Sequence, residues 1–144
     1  MITLAIIEYT IENILFPDLK KLYLLSLFGF IITLLAHMIR ILAMFTAKSN
    51  FTHLIATEKE PNHVLVTHGI YYYLRHPSYF GWFWWSIATQ IILLNPICLI
   101  LYTWFSWQFF NKRIPIEESY LIKFFGSSYE NYRKKTPIYI PFIY

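Results

Sequence analysis

The sequence predicts an all-α, polytopic membrane bundle of about four membrane segments, closed by a C-terminal amphipathic helix. Three observations carry that expectation. Of 144 residues, 57% are hydrophobic and 21% aromatic against 14% charged, and the mean hydropathy is +0.44. Average globular chains carry about 25% charge, and small soluble domains bury the lowest fraction of their surface. The second observation is the run from Leu22 to Ala47, interrupted by His37 and Arg40 and longer than the ~20 residues that cross a bilayer. The third is a pair of apolar runs, Tyr79–Leu94 and Ile97–Phe110, on either side of the turn signal Asn95-Pro96.

In chain order, the first segment, about 2–16, carries Glu8 and Glu12 on one helical face. Their carboxylates are expected to face other helices or the polar site rather than lipid. The second segment spans about 20–47. A polar loop, 48–78, follows and bends at Pro61-Asn62. Segments at about 79–94 and 97–111 form an out-and-back hairpin, each rising roughly 21–24 Å at ~1.5 Å per residue. A short amphipathic helix near 116–125 presents Leu121, Phe124 and Phe125 as an apolar stripe, and Gly126 is its C-cap candidate. In the tail, 112–144, Pro137 and Pro141 leave an extended, membrane-hugging end. No repeat or signal-peptide pattern is visible, and the whole of 1–144 reads as a single domain.

The charge of +4 is informative by position. Loop and tail hold Lys48, Lys59, Arg75, Lys112, Arg113, Lys123, Arg133, Lys134 and Lys135, whereas Lys20 and Lys21 stand alone on the other side. The positive-inside rule places loop and tail in the cytoplasm. The cluster Arg133-Lys134-Lys135 lies among aromatics beside a bilayer, so anionic headgroups suit it better than nucleic acid. The single cysteine, Cys98, allows neither a disulfide nor a zinc set and reads as a small core residue.

Two polar clusters interrupt this apolar chain: Leu65 to Tyr79, and Arg113 to Glu118. The hairpin returns Arg113 and Glu117 to the membrane face that holds Arg75, His76 and Tyr79. His63, His68 and His76 lack zinc spacing and cysteine partners, so no metal is expected. Ser78 has no partnered base and acid, which excludes a nucleophile triad. Trp82, Trp84 and Trp85 read as an interfacial belt. Tyr71 and Tyr79 bracket Arg75-His76-Pro77 and offer π-faces to a cation. Arg113 offers a planar fork that fits a carboxylate. From the residues alone, this is a membrane-edge pocket with carboxylate-binding and cation-stacking groups.

The order His63-Val64-Leu65-Val66-Thr67, Gly69, Tyr71, Arg75-His76-Pro77-Ser78-Tyr79, Gly81-Trp82, Asn95-Pro96, Phe109-Phe110, Arg113, Glu117-Glu118, Leu121, Phe124-Phe125-Gly126, Tyr129 and Tyr132 strongly resembles the protein-S-isoprenylcysteine O-methyltransferases. Arg40, Ala43-Met44, Thr46-Ala47, Asn50-Phe51 and His53 extend the likeness upstream. The resemblance implies an endoplasmic-reticulum membrane enzyme whose cytoplasmic pocket takes S-adenosyl-L-methionine. Its methyl group would go to the C-terminal carboxylate of a farnesyl- or geranylgeranyl-cysteine on a processed CaaX protein. It implies that His63, Val64, Leu65, Val66, Tyr71, His76, Pro77, Ser78, Tyr79 and Glu117 hold the cofactor, and that Arg113 holds the substrate carboxylate. The bare Arg-His-Pro…Glu-Glu pattern is shared with phospholipid N-methyltransferases, the alternative enzyme class. A non-catalytic, truncated membrane relative is the third reading. The chain departs from the family at Ala56, where glutamine is frequent, at His37, where relatives often carry an acid, and at Pro115, which removes a backbone donor between Arg113 and Glu117.

Overall fold

The computed structural model describes all residues, 1–144. It is all-helical, as expected: α1 (Ile2–Leu15), α2 (Tyr23–Ala47), α3 (Ile70–Tyr73), α4 (Pro77–Leu93), α5 (Pro96–Phe125) and α6 (Ser127–Lys135), with single 3-10 turns at Leu19–Lys21 and Lys48–Asn50. The chain folds as two units, Met1–Met38 with Gly81–Gln108, and Ile39–Phe80 with Phe109–Tyr144.

Three boundaries differ from the sequence expectation. The second segment starts at Tyr23 rather than near residue 20, because Leu19–Lys21 form a separate 3-10 turn that directs Lys20 toward Glu12. The fourth segment and the amphipathic helix are one continuous helix, α5, which runs through Pro115. Pro115 is exposed, while Ile114 and Glu118 beside it are 1% and 2% exposed. Tertiary packing there outweighs the ~3 kcal/mol that an interior proline costs a helix. Residues 127–135, read as tail, form α6. Gly126 ends α5 as expected and also starts α6, at φ +55.

In the first unit, charge is spent on helix ends. Glu8, 7% exposed, accepts hydrogen bonds from the backbone N–H of Ile97 (2.6 Å) and Cys98 (2.7 Å). These are donors of the first turn of α5, which has no intrahelical partners for them, and a carboxylate there also complements the helix dipole. Lys20 serves the opposite pole of the turn. Its ammonium donates to the carbonyls of Leu93 (3.0 Å) and Leu94 (2.9 Å), where α4 ends, and to Asn95 Oδ1 (3.0 Å). Glu12 neutralises it at 2.6 Å. Asn95 also donates to the Ala5 carbonyl at 2.9 Å. The expectation that Glu8 and Glu12 face protein is met, and Cys98 is fully buried.

The first unit packs through small residues, as helices in lipid do. A Cβ on Gly29 would lie 2.8 Å from the backbone nitrogen of Ile92, so only glycine permits this approach of α2 to α4. Ser86 and Ser106 share a hydrogen bond of 2.9 Å between α4 and α5. The large apolar side chains of α1 and α2 point outward instead: Ile2 is 74% exposed and Leu24 84%. In the second unit, Phe45 is 74% exposed. Hydrocarbon is the environment that accepts such a surface. Tyr23–Asn50, with a mean hydropathy of 2.1 in its most apolar stretch, is the one helix long and apolar enough to cross a membrane by itself.

The Glu8 cap yields the first prediction. Charge-assisted hydrogen bonds contribute roughly 1.5–3 kcal/mol each, so Glu8→Ala is expected to lower the unfolding midpoint in detergent, read by circular dichroism. Asp18→Ala removes an ion pair whose side chains are 63% and 91% exposed and is expected to leave that midpoint unchanged.

Candidate functional site

The second unit contains an open cavity of about 120 Å³ lined by both polar and apolar side chains. One wall is the extended stretch His63–Val66, held because the Val64 N–H donates to Asn50 Oδ1 at 2.8 Å. His63 packs edge-on against Phe124 and Phe125, with centroids 5.7 and 5.4 Å away. Gly69 lets the chain turn into α3: its φ is +60, and a Cβ would lie 2.9 Å from Thr46 Cγ2. Tyr71, His76, Pro77, Ser78 and Tyr79 form the opposite wall, and Glu117 and Tyr120 of α5 complete it.

Beneath this wall lies a buried ion cluster centred on Glu118, 2% exposed. Its Oε1 accepts from Arg75 Nε at 2.6 Å and lies 3.1 Å from His76 Nε2, while Oε2 faces Arg133 Nε at 3.1 Å. Arg75 Nη1 donates to the carbonyls of Arg133 and Thr136, each at 2.8 Å, and its backbone N–H donates to the Pro137 carbonyl at 2.9 Å. Burial alone would raise the Glu118 pKa, but the His76 hydrogen bond and the charges of Arg75 and Arg133 hold it below the usual carboxylate range. Tyr129, 1% exposed, has its phenol pKa raised by burial and then by the Glu118 charge. Tyr132 donates to the Tyr71 carbonyl at 2.5 Å and so ties α6 to α3.

A second set of contacts links the cavity to Arg113. The Tyr79 hydroxyl donates to Glu117 Oε2 and accepts from Arg113 Nε at 2.8 Å. The Tyr79 ring stacks on His76 at 5.4 Å and 8°. The guanidinium lies over the rings of Tyr79 (5.4 Å) and Phe109 (5.6 Å) and donates from Nη2 to the His53 carbonyl at 2.6 Å. Pro115 therefore does not separate Arg113 from Glu117, because Tyr79 bridges them. Burial, then the Glu117 charge, pushes the Tyr71 pKa up to about 12, so this phenol stays protonated at neutral pH.

His63, Val64, Leu65, Val66, Tyr71, His76, Pro77, Ser78, Tyr79 and Glu117 all line the cavity, whereas Arg113 stands outside it, joined through Tyr79. Ala56 also lies in the wall. Sequence reasoning missed Glu118 as the hub and left Asn50, Tyr120, Tyr129 and Tyr132 out of the pocket. The spacing of Tyr129 and Tyr132 was a usable signal once residues 127–135 are helical, since i,i+3 positions share a face. Arg75, read as lying at the site, is committed to Glu118 and to backbone carbonyls.

A prediction follows for acid stability. Because the folded-state pKa of Glu118 is depressed, its contribution is full above the carboxylate pKa of the unfolded chain, about 4.3, and is lost as pH falls through the lower folded value. Glu118→Gln is expected to be destabilised near neutral pH by roughly 3–5 kcal/mol, since it leaves the buried Arg75 guanidinium without its carboxylate. The variant should also lose part of the acid dependence below about pH 4; unfolding followed by circular dichroism across that range checks both.

Comparisons with known proteins identify the family of the chain. The family model described as "Isoprenylcysteine carboxyl methyltransferase (ICMT) family" matches residues 28–123. The protein-S-isoprenylcysteine O-methyltransferase of Xenopus laevis is 52% identical over 97 residues, covering 67% of this chain and 34% of that protein. The protein of the same name from Dictyostelium discoideum is 54% identical over 97 residues, covering 67% of this chain and 40% of its own. A solved structure of the eukaryotic intramembrane Ras methyltransferase matches with a TM-score of 0.96 and 50% identity, over 98% of this chain and 50% of that one. The chain thus spans a third to a half of the length of these relatives. On sequence and on fold alike, it belongs to the isoprenylcysteine carboxyl methyltransferase family.

Proposed function

We propose that this chain is a single methyltransferase domain, 1–144, that uses S-adenosyl-L-methionine to methylate the C-terminal carboxylate of a farnesyl- or geranylgeranyl-cysteine on processed CaaX proteins. The observation that carries this reading is the Tyr79 hydroxyl, which touches both Glu117 in the cavity wall and Arg113 outside it. A cofactor pocket and a carboxylate fork are thereby held in one geometry.

The residues fit such a methyl donor. The cavity offers Leu65, Val66 and Phe124 to an aromatic base, and the Glu117 carboxylate to hydroxyl or ammonium groups. Glu117 and the faces of Tyr71 and Tyr79 suit a cationic sulfonium. When bound, S-adenosyl-L-methionine supplies an electrophilic methyl group on that sulfonium. The acceptor carboxylate, with a pKa near 3.5, is ionised at neutral pH, so the protein need not provide a general base. Its task is alignment and partial desolvation. Arg113 supplies the fork for the acceptor, and its orientation is set by Tyr79, Phe109 and the His53 carbonyl.

The same reading places about four membrane segments across the endoplasmic reticulum membrane, with loop 48–78 and tail 112–144 in the cytoplasm. The support is the excess of Lys and Arg in that loop and tail.

Arg113→Ala is expected to abolish methylation of a farnesylcysteine analogue in a membrane assay with labelled S-adenosyl-L-methionine, while cofactor affinity stays within a few-fold. Arg113→Lys should rescue poorly, since an ammonium cannot reproduce the bidentate fork. Full activity in the lysine variant, or methylation of phosphatidylethanolamine in its place, would overturn the carboxylate assignment. Glu117→Ala is expected to weaken cofactor binding by about ten- to a hundredfold, read by calorimetry; unchanged affinity in a folded variant removes Glu117 from the cofactor site.

A further inference from the structure

We propose that the face formed by the end of α6 and the tail beyond it is a docking surface for the anionic headgroups of the bilayer. Three observations support it, and none depends on the methyl-transfer reading. The tail alternates: Ile138, Ile140 and Ile143 are 2%, 2% and 7% exposed, while Tyr139 and Phe142 between them and Tyr144 after them are 65%, 78% and 90% exposed. The alternation is held against local strain. Tyr139 and Phe142 adopt φ +58 and +61, a region that bulky side chains avoid, and that persists where surrounding structure enforces it. Here the buried isoleucines and the Arg75 contacts to Thr136 and Pro137 do the enforcing. What the strain achieves is outward projection of aromatic rings, the side chains that favour the membrane–water interface.

Charge identifies the occupant. Arg133, Lys134, Lys135, Tyr139 and Phe142 line one open concavity. Arg133 is drawn toward Glu118, but Lys134 and Lys135 are exposed in the last turn of α6. Glu130 is the one acid on that wall. Lysines beside projecting aromatics complement an anionic surface that has hydrocarbon beneath it. An acidic peptide would satisfy the lysines but leave the rings without an apolar partner.

The full chain in lipid nanodiscs tests this. An environment-sensitive fluorophore on a Tyr144→Cys variant reports from the tail, because Cys98 is fully buried. Quenching is compared for brominated phosphatidylserine and brominated phosphatidylcholine at equal mole fraction. The expected result is a relative affinity that favours phosphatidylserine, falling about fivefold with each of Lys134→Gln and Lys135→Gln, and falling with salt. Arg133 is left in place, so the Glu118 cluster stays intact and helicity should be unchanged. Equal quenching by the two lipids overturns the proposal, as does a phosphatidylserine preference that survives the double substitution. A fluorescence response to a soluble acidic peptide in phosphatidylcholine discs, without a phosphatidylserine preference, also overturns it and reassigns the surface to a protein partner. Loss of methylation activity alone changes none of these readouts.

Discussion

The Glu118 carboxylate is the constraint on which the site depends. One buried anion receives Arg75 and His76 from the start of α4 and Arg133 from α6, and it is itself carried by α5. Burying an isolated carboxylate is prohibitively costly, so its partners must arrive together or the unit does not close. Such clusters often contribute little net stability, but they specify which segments meet and in which register. Here the register matters, because His76, Tyr79 and Glu117 stand within a turn of the cluster and face the cavity. The tail is tied in as well, since Arg75 holds the carbonyls of Arg133, Thr136 and Pro137.

The first unit uses charge in a different way. Glu8 and Lys20 meet helix termini, one the free amides at the start of α5 and the other the last carbonyls of α4. Backbone groups at a helix end have no partner within the helix, and in an apolar setting water is not there to provide one. A carboxylate at the N-terminus and an ammonium at the C-terminus satisfy these groups and match the dipoles at once. This accounts for charged residues in segments that otherwise look fit only for lipid. The left-handed conformation of Leu94, at φ +56, is tolerated where Lys20 grips its carbonyl.

Arg75 and Arg113 show how identical side chains take separate tasks. Arg75 is 6% exposed and committed to Glu118 and to backbone carbonyls. Arg113 is half-buried and lies over two aromatic rings, a placement that orients a guanidinium without neutralising it. Tyr79 makes the distinction, because its hydroxyl couples Arg113 to Glu117.

The sequence by itself determined the helical class, the apolar runs, the turn at Asn95, the inward role of Glu8 and Glu12, and the stretches that line the cavity. Most follow from local chemistry: hydropathy and its periodicity, a turn dipeptide, and polar groups too costly to leave in hydrocarbon; the individual lining residues, His63 and Val64 among them, came from the family resemblance. Only the tertiary structure decided that α5 passes through Pro115, that residues 127–135 form a helix, that Glu118 rather than Glu117 is the buried hub, and that Lys20 caps the end of α4. The physical reason is the same in each case. Local propensity at Pro115 or in a short, charged stretch such as 127–135 is worth a few kcal/mol at most, and contacts made by residues dozens of positions away outweigh it. Glu117 and Glu118 are chemically identical neighbours, and what separates them is which side of α5 faces Arg75 and His76.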